Sequence, residues 1–166
     1  VNEIADQLLG PVRLVQENAH LKALPVSKIR PDSVVIGADT VVAFEGRILG
    51  KPADMLEAQA MLESLNGQEH TVHTGVCLIH GTTASETLFV ETTRVRFNTL
   101  TLDQRIAYHT RINPLDKAGA YAAQDDQGIL IASTEGSFTN VIGLPMESLQ
   151  MHLHAFGIRP RLRNTD

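Results

Sequence analysis

Between Ser33 and Phe44 the chain reads Ser-Val-Val-Ile-Gly-Ala-Asp-Thr-Val-Val-Ala-Phe, a nearly uncharged run interrupted by one acid. Branched valine and isoleucine side chains favour the extended backbone, and the run predicts a buried apolar strand over Ser33–Ala38 that continues past Asp39-Thr40 into Val41–Phe44. Glu45-Gly46 reads as a hairpin turn, with Arg47-Ile48-Leu49 returning. A buried strand needs partners and cover, so the remaining segments are read for both.

Before it, Val12–Leu24 reads as a helix, with Val12, Val15 and Ala19 at helical spacing and Pro25 and Pro31 closing it off. After it, Asp54 reads as an N-cap with Glu57 as capping-box partner. That helix runs through Ala58, Met61, Leu62 and Leu65 to Asn66-Gly67. Val72–His80 and Leu88–Phe97 read as two strands, an antiparallel pair. Thr101 and Gln104 form a second capping box, opening a helix through Ile106 and Tyr108. Ile129–Ser133 is a further short strand, and Pro145 opens a helix over Met146–His154. The order predicts one α/β domain over residues 1–158 with a mixed sheet, followed by a frayed basic tail over 159–166.

The 166 residues, 43% hydrophobic and 20% charged, lie in the globular range and suffice for a real core. A net charge of −5 argues against a duplex nucleic-acid partner but not against a small anion held by local cations. A single cysteine allows no internal disulfide and fits a reducing compartment. No apolar run reaches membrane-spanning length. The opening Val-Asn-Glu-Ile-Ala-Asp is unlike a signal peptide and lacks an initiator Met, so the start is read as a truncation or an alternative boundary.

Four constellations suit chemistry, each with a plainer reading beside it. Asp39, following an apolar strand, suits a metal ion or an oriented water, and equally a strand-end turn. Lys51, between Gly50 and Pro52, suits a phosphate as a point charge, and equally solvent. Lys117-Ala118-Gly119-Ala120-Tyr121 permits close backbone approach, with Gln124 offering donor and acceptor to a base edge; a tightly packed helix with an exposed glutamine is the alternative. Gly136–Pro145 is a glycine-bounded loop leading into a helix start, fit for an anion or for structural support alone. His70 and His73 point to opposite faces of a strand, and His152 and His154 share no helix face, so neither pair makes a good metal site. Cys77 reads as a core thiol. Neither a P-loop nor a Gly-x-Gly-x-x-Gly turn is present.

The ordered set Gly-Ala-Asp-Thr-Val-Val (37–42), Gly-Lys-Pro (50–52), Thr-Gly-Val (74–76), Lys-Ala-Gly-Ala-Tyr (117–121) and Gly-Ser-Phe-Thr-Asn-Val-Ile-Gly-Leu-Pro (136–145) resembles the Maf family of nucleotide pyrophosphatases, over nearly the whole chain from Glu3 to about His154. The resemblance implies an elongated, two-lobed α/β fold with a central cleft, related to inosine triphosphatase. It further implies a homodimer, as is frequent in the family, and hydrolysis between the α and β phosphates of a nucleoside triphosphate, while the cysteine usage leads to the expectation of a cytoplasmic protein. By the same resemblance Asp39 is the catalytic aspartate, Lys51 and Lys22 bind phosphate, Glu3 and Asp39 hold a Mg or Mn cation, and Thr40 with Gln124 marks the branch acting on dTTP and UTP. Asp125 stands after Gln124 where the family usually has glycine. The family's opening strand and Ser-x-Ser-Pro-Arg-Arg loop have no counterpart in this sequence, which removes arginines from the expected site and leaves a sheet edge uncovered.

In physical terms, attack at phosphorus brings negative charge that cations must offset, and Asp39 would orient or deprotonate the water. The rival expectations are a nucleotide-binding protein without turnover, a pyrophosphatase for purine triphosphates such as ITP, and a structural role in septum formation.

Overall fold

The computed structural model describes residues 1–124, 126 and 128–159. From residue 160 the expected basic tail lies outside the described residues, as does Asp125.

The apolar run forms one strand, β1 (Val34–Phe44). A two-residue turn, in which Glu45 and Gly46 both take positive φ (48° and 74°), folds it into β2 (Arg47–Leu49). Three more strands, β3 (Glu69–His80), β4 (Ser85–Phe97) and β5 (Ile131–Glu135), complete a sheet of order β2-β1-β3-β4-β5. The α/β class holds. The expected mixed pairing does not: all four described pairings are antiparallel. Two of the connections are hairpins, which can only reverse direction, and no crossover helix joins two neighbouring strands in the parallel sense.

Alternation along β1 sends Val35, Gly37, Asp39 and Val41 to one face of the sheet and Val34, Ala38, Thr40 and Val42 to the other. The first face is covered by α1 (Gly10–Ile29), whose Leu14, Val15, Ala19 and Ala23 pack on Val35, Val41, Cys77 and Ile79. Two glycines allow this approach: a Cβ at Gly37 would overlap the Ala19 carbonyl oxygen, and one at Gly75 the Val15 carbonyl. The helix backbone thus rests directly on the sheet beside Asp39. The other face is covered at one end by α4 (Phe138–Ile142) and α5 (Met146–Ala155). At its other end lie α2 (Met55–Leu65), α3 (Leu102–His109) and the largest apolar cluster, which includes Leu62, Leu65, Val72, Val95 and Tyr121.

Several boundaries differ from expectation. α1 begins at Gly10-Pro11 and runs through Pro25 to Ile29. Interior proline removes a helical hydrogen bond at a cost of about 3 kcal/mol. Burial of Ala23 and Ser27 on either side of Pro25 keeps the helix seated on the sheet, and Pro31 follows its end. β5 starts two residues later than expected because the Asp126 carboxylate accepts the N–H groups of Gly128, Leu130 and Ile131, tying 128–130 into a turn. Around Lys117–Tyr121 the chain forms a 3-10 turn, Ala118–Ala120, and not a helix; Gly119 takes φ 67° against Val42. Pro145 caps α5 from outside its first turn.

The Thr101–Gln104 capping box closes in both directions. Asp54 caps α2, while Glu57 reaches the N–H of Ala53. His70 and His73 do lie on opposite faces: one packs against Phe97 and Tyr121, the other bonds Thr71 and Thr92. Cys77 is fully buried, and burial together with nearby Glu86 pushes its thiol up to about 12.

Candidate active site

β2 pairs with β1 only at Val42–Phe44. Along the preceding residues the outer edge of β1 is uncovered by any strand among the described residues, and a cleft of about 690 Å³ wraps around it. Because Asp39 and Thr40 are consecutive, they project to opposite faces of the sheet into the two sides of this one cleft.

On the α1 side Asp39 is 8% exposed. Its Oδ1 accepts from Lys22 Nζ at 2.7 Å and its Oδ2 from Asn18 Nδ2 at 3.1 Å. Lys22 also donates to the Ala38 carbonyl at 3.1 Å and pairs with Glu3 Oε1 at 2.9 Å. Three oxygens from three residues therefore converge on one ammonium. Burial alone would lower the Lys22 pKa, but the hydrogen bonds to Asp39 and Glu3 outweigh it and the value is raised. The Lys22 hydrogen bond is the main cause holding Glu3 below the usual carboxylate range, with Lys51 adding a smaller pull.

On the other side Thr40 Oγ1 lies 2.9 Å from Thr74 Oγ1 and donates to the Gly143 carbonyl at 3.4 Å. This wall is formed by Tyr121–Gln124 and by Val141–Gly143, the C-terminal end of α4. Asn140, fully buried, anchors α4 through Nδ2 to the Val72 carbonyl and to Thr93. The start of the 136–145 segment is not available to an anion: Ser137 and Thr139 both donate to the carboxylate of Glu147, at 2.8 Å each. Of the two readings of this loop, structural support fits, with only its far end touching the cleft.

Lys51 and Gln124, both exposed, line the cleft mouth. The structure thus brings Glu3 and Asp39 onto the same Lys22 ammonium and places Thr40, Lys51 and Gln124 around the same cavity. Sequence reasoning missed Asn18, and it named Lys117 within its motif without giving it a role; that lysine lines the cleft and pairs with Asp116 at 2.8 Å. Asn18 had a signal: it lies one helical turn before Lys22, between Leu14 and Lys22 on a single stripe of α1.

No described helix is long and apolar enough to cross a membrane. The sequence profile of Maf-like proteins matches residues 1–156. A dTTP/UTP pyrophosphatase of Pelotomaculum thermopropionicum is 42% identical over 157 residues, covering 95% of this chain and 82% of the relative. One from Symbiobacterium thermophilum is 43% identical over 95% of this chain and 80% of its own length, and one from Shouchella clausii 40% over 98% and 84%. With motifs, fold and cleft in agreement with these matches across almost its whole length, the chain belongs to the Maf-like protein family.

Proposed function

We propose that the chain hydrolyses nucleoside triphosphates, dTTP and UTP foremost, to the monophosphate and pyrophosphate. The observation that carries this reading is the convergence of Asp39, Glu3 and Lys22 at one point of a nucleotide-sized cleft, in a chain whose relatives are dTTP/UTP pyrophosphatases.

Three lysines of the cleft (Lys22, Lys51, Lys117) face three carboxylates (Glu3, Asp39, Asp116). Among the described residues, the cleft therefore carries no excess of positive side-chain charge for a triphosphate. A divalent cation fits this deficit. Glu3, Asp39 and the Ala38 carbonyl are hard oxygen donors, and their grouping around the Lys22 ammonium supports a cation at this point. Glu3 and Asp39 would hold a Mg²⁺ or Mn²⁺ ion, which takes hard oxygen donors and is commonly bound by one or two carboxylates. When bound, the ion would polarise the phosphate and offset developing charge.

The chain's own residues do the rest. Lys51, which has no ion pair among the described residues, receives the phosphates at the mouth, and Lys22 holds them deeper in the cleft. Asp39 accepts a proton from the attacking water. The water oxygen bonds to the α-phosphorus, the bond to the bridging oxygen breaks, and pyrophosphate leaves. Thr40 and Gln124 meet the nucleoside on the uncharged side. The protein acts as a single unit over residues 1–158, as a homodimer in the cytoplasm; sedimentation of the purified chain tests the dimer.

The test is pyrophosphate release from dTTP, UTP, CTP, ITP and 7-methyl-GTP with and without Mg²⁺ or Mn²⁺. Metal-dependent turnover led by dTTP and UTP is expected. ITP as the best substrate would move the reading to purines, and calorimetric binding with no release would make the chain a nucleotide-binding protein.

A further inference from the structure

We propose that Asn18 is a positioning residue of this hydrolysis, whose side-chain amide fixes the Asp39 carboxylate and the Glu3-bearing segment relative to each other. The inference rests on reading Asp39 and Glu3 as the working carboxylates. Asn18 is 3% exposed, on the α1 stripe that otherwise packs Leu14, Val15, Ala19 and Ala23 against the sheet. A buried amide on such a stripe costs free energy unless its hydrogen bonds are made, and packing alone would be served by leucine.

Among the described residues, the side-chain hydrogen bonds of Asn18 all go to the site. Its Oδ1 accepts the Ile4 N–H at 2.7 Å, and its Nδ2 donates to the Ile4 carbonyl at 3.0 Å and to Asp39 Oδ2 at 3.1 Å. Pairing with both backbone groups of Ile4 is what a neighbouring strand would do, and it sets the residue directly after Glu3. The third bond fixes the Asp39 carboxylate. With Oδ2 engaged by Asn18, Oδ1 is turned to Lys22, the same ammonium that Glu3 reaches. One side chain thereby holds both carboxylates on a common point. Such supporting groups orient the residues that do the chemistry, and their loss typically costs about 10- to 100-fold in metal affinity or activity.

The experiment compares Asn18→Leu and Asn18→Asp with wild type, Asp39→Asn and Glu3→Gln. It measures kcat and KM for dTTP, Mn²⁺ binding by calorimetry without nucleotide, and Tm. Asn18→Leu keeps the branched shape, with somewhat larger methyl groups, but no hydrogen bond, and the Tm reading separates any packing strain. Its kcat is expected to fall about tenfold or more and its Mn²⁺ affinity about tenfold, with KM changed less than about threefold. Asn18→Asp keeps the acceptor for Ile4 but sets a carboxylate against Asp39, so kcat falls as far while Mn²⁺ affinity does not fall. A packing role would move kcat, KM and Mn²⁺ affinity together with Tm in both variants, and that pattern overturns the proposal. So does an Asn18→Leu protein within about twofold of wild type in kcat and Mn²⁺ affinity. Wild-type turnover in Asp39→Asn would instead remove the carboxylate reading itself, whatever the Asn18 variants show.

Discussion

Asp39 and Thr40 are neighbours on one strand, yet the walls they face are chemically opposite. On the α1 side a carboxylate, an ammonium, a second carboxylate and an amide are bonded in one network. On the α4 side, along Tyr121–Gln124 and Val141–Gly143, the lining is hydroxyl, backbone carbonyl and apolar side chain, with Gln124 at the rim; among the described lining residues the only charges on this side are those of Lys117 and Asp116, paired with each other beside Ala118. Strand alternation is the whole cause: two successive residues at an uncovered sheet edge reach both sides of the cleft. Under the proposed function the charged side takes the phosphates and the other side the nucleoside, and a strand that carries one acid and one hydroxyl would orient the substrate end to end.

The largest effect should come from the charged wall. Asp39→Asn keeps the size of the side chain but cannot take a proton, and kcat should drop about 10²- to 10⁴-fold while the folded state persists, read by steady-state kinetics beside a thermal melt. Retained activity would break the comparison at its strongest point.

Next comes the spacing between helix and sheet. Gly37→Ala or Gly75→Ala touches no substrate, but the new methyl group would meet the backbone carbonyl of Ala19 or Val15, which cannot swing aside as a side chain would. Overpacking of this kind costs about 1–3 kcal/mol. The displaced α1 would carry Asn18 and Lys22 away from Asp39, and a misplacement of about 1 Å can cost about 100-fold in rate. A melt and kcat on the same sample check both. The uncharged wall, built on the other face, should keep its nucleotide binding.

How much of this was legible beforehand follows from the range of the interactions. β1, its hairpin, the Thr101–Gln104 capping box and the opposed faces of His70 and His73 come from local patterns of two to four residues, and all are seen, whereas the Asp54–Glu57 box closes on one side alone because Glu57 turns to the Ala53 N–H. Asp39, Lys22 and Glu3 could be nominated by resemblance, but nothing in the spacing says that they share one point; that depends on α1 resting on glycines of β1 and β3. Pro25 misled because its local penalty is outweighed by burial of residues on both sides of it. The all-antiparallel sheet was missed because pairing partners lie far apart in sequence, with helices between them.

The uncharged wall should respond more gently and in a different constant. Thr40→Val removes the hydrogen bonds to Thr74 and Gly143, and Gln124→Ala removes an exposed amide. One hydrogen bond is worth about 0.5–1.5 kcal/mol net, so each variant should raise KM for dTTP by up to about tenfold and leave kcat nearly unchanged. Gln124→Ala should leave Tm unchanged as well. A kcat loss with constant KM in either variant would mean that the two walls do not divide the substrate in this way.

The smallest effect on turnover, and the sharpest on stability, is expected at His70. It backs the uncharged wall from within, its Nε2 lying 3.0 Å from the hydroxyl of Tyr121 and its Nδ1 left without a partner among the described residues. Burial lowers its pKa to about 4, so the native state keeps it neutral while the unfolded chain takes up a proton near the ordinary histidine value. Between those two values the unfolded state binds more protons, so stability falls as the pH is lowered, by about 3 kcal/mol in all from this residue. His73 and His109, also lowered by burial, add losses of the same sign. His70→Phe cancels only the share of His70, and it orphans the Tyr121 hydroxyl at every pH, at a cost of about 1–3 kcal/mol. The variant should therefore be the less stable protein at pH 7.5 and should lose less on going to pH 4.5, the gap narrowing or reversing in urea titrations at the two pH values. Parallel losses in variant and wild type would mean that this wall does not owe its neutrality to a buried, uncharged histidine.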